Sequence, residues 1–499
     1  MVEHIKTIAK GAGIFLIGMI ISKVINYLYR LVVARGLGPD SYGIFSLCFA
    51  VISILAALAI FGLPVAIERY VPYHIKEKGK VKGIIVFSVQ LTLAISLAVS
   101  IILLFFSNNV AAIFGNELLS IPFKIFLLSI PAFAFLQLYE SVSKAFNKVE
   151  YQVYSHSILH PTINLIAAAI AVLFGFGVIG LAYGFLLASI FSALLIFVLV
   201  EKNVFSFFSK IKPIFMRREL LSFSLPLVLT ALLGYILGWA DTILLGYFAD
   251  EKIVGLYNAA VPTALLLTAV PLAVISLLIP TMSRLLSENR VKDIKRTFLT
   301  ITEWIFFVNF PLFLMFLVFP KQILLLLFGE VYVDASLPLQ LLSIGYIMYS
   351  MAYPSFKILE LLKKTKFYFM VNFIAVIINI ILNVLLIPIY GMVGAATGTM
   401  IALAITYVIA LGYVLRMGGF KTISFTICKS ATLAIVLMII TYSISKLIFG
   451  TVPLHISIAL FIFYICTYII VLVFKIINKE EREILNLVLS KIGLKFRIN

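Results

Sequence analysis

The sequence predicts an all-α polytopic membrane protein with about fourteen transmembrane helices, built as two parallel six-helix repeats followed by two further helices. Three observations carry this expectation: the spacing of apolar runs, the segregation of basic residues, and an internal repeat. The chain has 499 residues, 63% hydrophobic and 12% charged, at a mean hydropathy of +1.16. No soluble core buries that much apolar surface, so hydrocarbon must act as part of the solvent.

A helix needs about 20 mainly apolar residues to cross a bilayer. Runs of that kind fall near 11–34, 43–67, 84–106, 121–145, 153–174, 178–200, 221–246, 254–280, 298–320, 336–360, 367–389, 393–415, 424–447 and 453–476. The basic N-terminus leads directly into the first run. That run is longer than a signal-peptide core and has no small-residue cleavage site, which makes it the first span. After the last run, Ile484, Leu485, Val488, Ile492 and Phe496 gather on one helical face, the pattern of a helix lying in the interface. The expected plan is an N-lobe over 1–212, a C-lobe over 213–420, a two-helix hairpin over 421–478 and an amphipathic tail over 479–499.

The charges test the count. Of 39 lysines and arginines, 31 fall on the side that holds both termini and every even-numbered loop. Five fall on the other side: Arg35, Lys124, Lys252, Lys321 and Lys446. One miscounted helix would scramble this alternation. The bias places both termini in the cytoplasm of a multi-pass plasma-membrane protein. The net charge of +18 is then read as loops facing anionic lipid, not as a nucleic-acid surface. Cys48, Cys428 and Cys466 lie far apart in apolar runs and form neither metal-ligand spacing nor a disulfide framework.

The chain also repeats itself. Gly177-Val-Ile-Gly180-Leu-Ala-Tyr-Gly184 returns 214 residues later as Gly391-Met-Val-Gly394-Ala-Ala-Thr-Gly398. Asp40-Ser-Tyr-Gly43-Ile-Phe returns 212 residues later as Lys252-Ile-Val-Gly255-Leu-Tyr. Each match opens corresponding spans, the sixth and twelfth or the second and eighth. Six spans per half is an even number, so both halves insert with the same orientation, and a substrate site is expected between them. The glycine triplets read as close-packing devices.

Two segments carry a family resemblance. Ala34-Arg35-Gly-Leu37-Gly38-Pro39-Asp40-Ser-Tyr42-Gly43-Ile-Phe45-Ser46 resembles the first-loop signature of polysaccharide transporters, the Wzx-type oligosaccharide-lipid flippases. Asn383-Val-Leu-Leu-Ile-Pro388-Ile-Tyr390-Gly391-Met-Val-Gly394-Ala-Ala396 resembles their turn between the eleventh and twelfth helices. These proteins belong to the multidrug/oligosaccharidyl-lipid/polysaccharide (MOP) superfamily, with lipid II flippases and MATE antiporters. The resemblance implies V-shaped lobes rocking about a central cavity. It also implies the translocation of a polyprenyl-phosphate- or pyrophosphate-linked oligosaccharide from the cytoplasmic to the outer leaflet, for cell-surface polysaccharide or glycan assembly. Its partners would be that lipid-linked oligosaccharide, membrane lipids and glycan-assembly enzymes. No cofactor is expected; the drive would come from a proton or sodium gradient or from the membrane potential.

Ionisable side chains at membrane depth are the candidates for transport, because each is costly unless paired or hydrated. Lys23 and Arg30 stand seven residues apart, about 700° around a helix, and so share a face with Asn26 and Tyr27. Facing a cavity, that stripe suits a lipid phosphate, with lysine as a point charge and arginine as a bidentate donor. Asp241, on the seventh span with Thr230, Gly234 and Gly238 on one face, aligns through the repeat beside Arg30. It is a candidate for gating, by pairing with Arg30, or for ion coupling. His160 and Glu303 are further ion-coupling candidates, His160 because a histidine at depth can relay protons. Glu140 and His156 lie in the cytoplasmic halves of their spans. Glu68, Arg69, Arg284, Lys357 and Glu360 at helix ends read as headgroup anchors or local ion pairs.

Two other classes compete with a flippase. A membrane glycosyltransferase or polymerase would need long external loops bearing carboxylates or metal ligands. Here no external loop exceeds about 16 residues, and no catalytic, nucleotide or zinc signature occurs. A multidrug or cation antiporter of the same superfamily would favour an acid in the first span, where this chain has cations. The topology makes a direct prediction. Cysteines introduced in the loops at 76–82, 210–218 and 290–296 resist an impermeant thiol reagent in intact cells, while those near 116 and 332 label; the reverse pattern would sink the fourteen-span reading.

Overall fold

A computed structural model of the chain describes residues 2–422, 424–449 and 454–472. All regular structure among them is helical. The α-helices are α1 (Val2–Ile60), α2 (Leu63–Tyr73), α3 (Lys78–Phe105), α4 (Ser107–Ile113), α5 (Ser120–Ala145), α6 (Val149–Gln152), α7 (His160–Leu173) and α8 (Gly177–Asn203). They continue as α9 (Arg217–Phe248), α10 (Glu251–Ala264), α11 (Ala269–Ser287), α12 (Val291–Val318), α13 (Pro320–Leu327) and α14 (Ser336–Leu361). The last three are α15 (Thr365–Arg416), α16 (Phe425–Phe449) and α17 (Leu454–Val471).

Among the described residues, 11 helical stretches are long and apolar enough to cross a membrane. Two of these, Ile17–Tyr73 and Lys366–Arg416, are twice the length of one span. Inside α1 the backbone leaves helical geometry only at Gly38 (φ 79°, ψ 173°), and inside α15 only at Gly391 (φ 53°, ψ −130°). A side chain is disfavoured at such positive φ, so one glycine suffices to divide each double-length helix. Counted as two spans each, and with the apolar α17 added, the described helices accommodate the fourteen expected. Two expected spans are interrupted. The run at 43–67 breaks at Phe61 and Gly62, both at positive φ, and the run at 254–280 passes through a 3-10 turn at Leu265–Thr268. The expected tail helix at 479–499 lies outside the described residues.

The chain divides into two compact units, one of Met1–Ala259 with Val376–Ala395 and one of Ala260–Ala375 with Ala396–Asn499. In the first, α5 packs along α3 and α8, and α7 packs on α8 and α1. Its core gathers Leu63, Ile84, Leu136, Tyr139 and Ile196. In the second, α12 packs against α11, α14 and α16, with Phe298, Ile305, Ile358 and Val414 at the centre. Lipid tails are as apolar as these side chains, so close fit rather than water avoidance holds the spans together. The 3-10 turn of the second unit needs extra donors. The Leu267 carbonyl accepts from Asn309 Nδ2 at 2.7 Å and from Ser350 Oγ at 3.0 Å.

The glycine triplets divide between two uses. Gly177 and Gly391 turn the chain at φ 56° and 53°, whereas Gly180, Gly184 and Gly394 are close-packed. The tightest crossing joins the two copies of the other repeat. A Cβ on Gly43 would overlap the Glu251 carbonyl oxygen, and a Cβ on Gly255 would overlap the Pro39 carbonyl oxygen. The repeat offset carries Gly43 onto Gly255 and Pro39 onto Glu251, so the two contacts are copies of each other. Backbone on the far side cannot yield as a flexible side chain could. Gly255→Ala and Gly43→Ala therefore each destabilise the protein by roughly 1–3 kcal/mol, the usual cost of overpacking. Gly234→Ala on α9, where a Cβ meets nothing within 4 Å, is neutral or slightly stabilising. Thermal unfolding of the purified variants in detergent checks the contrast.

Candidate functional site

The polar side chains at membrane depth form two networks inside the first unit. The first begins on α1. Lys23 and Asn26 are exposed there, and Asn26 Nδ2 donates to the Ser22 carbonyl one turn back at 2.8 Å. Arg30 is half-buried, and its Nη1 donates to the Tyr42 hydroxyl at 3.3 Å. Tyr42 is fully enclosed and donates in turn to the Asn258 carbonyl at 3.0 Å. The Asn258 side chain donates to Thr242 Oγ1 at 3.2 Å and, within α10, to the Val254 carbonyl at 2.9 Å.

Thr242 leads to Asp241, buried at 7% exposure. One carboxylate oxygen of Asp241 accepts from the Tyr257 hydroxyl at 2.5 Å. The other accepts from Asn379 Nδ2 at 3.1 Å and from Asn383 Nδ2 at 2.6 Å. Asn379 and Asn383 are four residues apart on α15, which puts both amides on one face. Asn383 Nδ2 also reaches Asn379 Oδ1 at 3.2 Å, while among the described residues Asn383 Oδ1 is buried with no hydrogen-bond partner. Three donors suit an ionised carboxylate, since charge-assisted hydrogen bonds replace the water it has lost. Turning one of these amides about its last torsion would present an oxygen in place of that donor.

Thus Arg30 and Asp241, which the repeat aligns side by side, stand at two ends of one chain of contacts running through the neighbours Tyr257 and Asn258. His160 belongs to a second network on α7, with Ser189 Oγ 3.4 Å from its Nε2 and Asn164 Nδ2 3.3 Å from its Nδ1. Glu303 is buried on α12 of the second unit. Tyr257, Asn258 and Asn379 lie outside the candidates that the sequence offers. A signal was present: Asn379 and Asn383 repeat at helical spacing in an otherwise apolar run, where an amide is costly unless it has a task. No group of three or more His, Cys, Asp or Glu suited to a metal ion occurs among the described residues.

A family model described as polysaccharide biosynthesis protein matches residues 8–286, more than half of the chain, and a MatE model matches residues 226–385. A membrane protein of Methanocaldococcus jannaschii, MJ1068, is 24% identical over 428 residues, covering 82% of this chain and 84% of its own. The probable low-salt glycan biosynthesis flippase Agl15 of Haloferax volcanii is 27% identical over 396 residues, covering 79% of each chain. Among solved structures, the lipid II flippase MurJ in an inward closed conformation superposes with TM-score 0.72 at 18% identity, covering 91% of this chain and 97% of its own. An inward-facing MATE transporter superposes with TM-score 0.69 at 17% identity, covering 79% and 94%. The two structural likenesses bear on the fold, and the sequence model bears on the family. The chain belongs to the polysaccharide biosynthesis protein family and has the fold of the MOP superfamily.

Proposed function

We propose that this protein is a flippase that carries a polyprenyl-phosphate- or pyrophosphate-linked oligosaccharide from the cytoplasmic to the outer leaflet, with both termini in the cytoplasm. The observation that carries this reading is Lys23. It lies near the middle of an apolar span and its side chain is exposed. An ammonium cannot face hydrocarbon at that depth, so its side of α1 must be wet or must meet an anion. Arg30, two turns on, adds a planar donor whose Nη1 is braced by Tyr42. A lipid-borne phosphate answers both cations and would bind along Lys23, Asn26 and Arg30. The family membership and the flippase named among the relatives support the same cargo class.

In this reading the N-lobe (1–212) and C-lobe (213–420) alternate access to the two leaflets. Asp241, with Asn379 and Asn383, is the ion-coupling or gating centre: a proton or a sodium ion taken as co-substrate would displace the amide donors from the carboxylate. His160 and Glu303 are secondary coupling candidates. A second reading, a cation or multidrug antiporter, draws on the MatE match, whose residues 226–385 include Asp241 and both asparagines. The two readings part at the first span.

Lys23→Ala and Arg30→Ala abolish complementation in a strain lacking its own glycan flippase, with membrane abundance near normal. Arg30→Lys recovers part of the activity, since a point charge does not reproduce the guanidinium fork. Full activity in the Lys23→Ala/Arg30→Ala double variant would remove the anion site. Asp241→Asn keeps headgroup binding but loses gradient-driven transport, read by flipping assays with and without imposed pH and sodium gradients. If Asp241→Asn behaves like the parent under every gradient, the coupling role is wrong.

A further inference from the structure

The second network contains a carboxylate held quite differently from Asp241. Glu140, near the end of α5, is buried at 6% exposure, and its Oε1 meets His156 Nδ1 in an ion-pair contact. Among the described residues, that oxygen has no hydrogen bond beyond this contact. Asp241 is held by two amides and a phenol, donors that keep their protons throughout the physiological range. Glu140 depends on an imidazole, the one side chain that ordinarily titrates within that range. Lys144, His160 and Tyr235 are titratable neighbours of the pair. Lys144 on α5 is engaged by Glu68 of α2 at 3.5 Å. The His160 ring lies 5.7 Å from that of His156, and Phe133 packs against both imidazoles. Tyr235 approaches from α9.

His156 also sits on an unusual piece of backbone. Val153–Leu159 is π-helical, and the His160 amide bonds to the Ser155 carbonyl five residues back. Pro161 supplies the cause: it has no N–H, and its ring displaces the carbonyl four residues before it, so the preceding turn widens. Such single-turn π segments recur at functional sites. The turn touches the first span directly, because a Cβ on Gly18 would overlap Val153. Gly18 precedes Lys23 on α1 by little more than one turn.

We propose that Glu140 and His156 form a proton-binding site that takes one proton on His156 Nδ1 and transmits its occupancy to the first span through the π-helical turn. Loaded, the pair is an imidazolium against a carboxylate, with no net charge. When the proton leaves for water, a buried carboxylate faces a neutral imidazole, and an uncompensated charge at that burial is costly. The strain falls on the turn that carries His156, and the turn bears on Gly18. His160, with Ser189 and Asn164 on its two nitrogens, continues the polar path along α7. The site does not depend on which cargo the protein moves.

The test uses the full-length protein in nanodiscs with ¹⁵N-labelled histidine, titrated between about pH 5 and 8, where imidazoles change charge. Hydrogen exchange of peptides covering 17–30 and 149–165 is followed across the same range, corrected for the intrinsic pH dependence of exchange. The parent protein is expected to give an imidazole signal that disappears in His156→Asn. Its midpoint moves by about one unit or more in Glu140→Gln, the size of a single strong charge interaction. Exchange in both peptides changes across that titration in the parent and not in Glu140→Gln. The exchanged pair, Glu140→His with His156→Glu, restores a coupled titration and guards against single variants that fail to fold. An unmoved midpoint in Glu140→Gln, a peptide 17–30 that exchanges alike across the parent's titration, or a folded exchanged pair without coupled titration would each overturn the proposal.

Discussion

Hydrocarbon offers a polar group no hydrogen-bond partner, and most of this architecture follows from that cost. Backbone amides and carbonyls must be satisfied within the segment that carries them, which leaves helices as the economical solution. Departures from helix are correspondingly short. One glycine divides each double-length helix, and where a 3-10 turn loosens α-helical bonding, Asn309 and Ser350 reach the Leu267 carbonyl. The side chains that interrupt an apolar run are thus often repairs to the backbone rather than sites.

Ionised groups face the same cost more severely, and the chain meets it in three ways. Asp241 is given permanent donors. Glu140 is given a partner that titrates. Lys23 is given no cover, which requires a wet or anionic surrounding. A carboxylate with fixed donors is stable in its charged state, and an ion must compete for it. One held by histidine changes state with the proton alone. In the proposed function, this contrast would divide, within one unit, an ion-coupling centre from a proton-binding one.

Much of this could be read from the sequence, because the same cost marks both spans and exceptions. Apolar runs of the right length, the alternation of lysine and arginine between loops, and the two repeat matches depend only on composition along the chain. Lys23, Arg30, Asp241 and His160 stood out as charges in such runs. Their partners did not, since Asn383 lies 142 residues from Asp241 and Asn258 lies 216 from Tyr42. Only folding brings those together. The segment from Gly36 to Pro39 has the glycine and proline of a loop, yet the structure keeps it helical apart from Gly38. A π-helical turn has no hydrophobic period of its own, so the widening before Pro161 was not legible either.

The crossing at Gly43 and Gly255 ties the two copies of the repeat to each other. Pro39 meets Gly255 while its repeat equivalent Glu251 meets Gly43, the arrangement of an isologous interface between two identical subunits. In a pair of identical subunits one glycine would make both contacts, because it would be used twice. In this single chain the two glycines hold separate positions, and each is constrained by the backbone of the other copy.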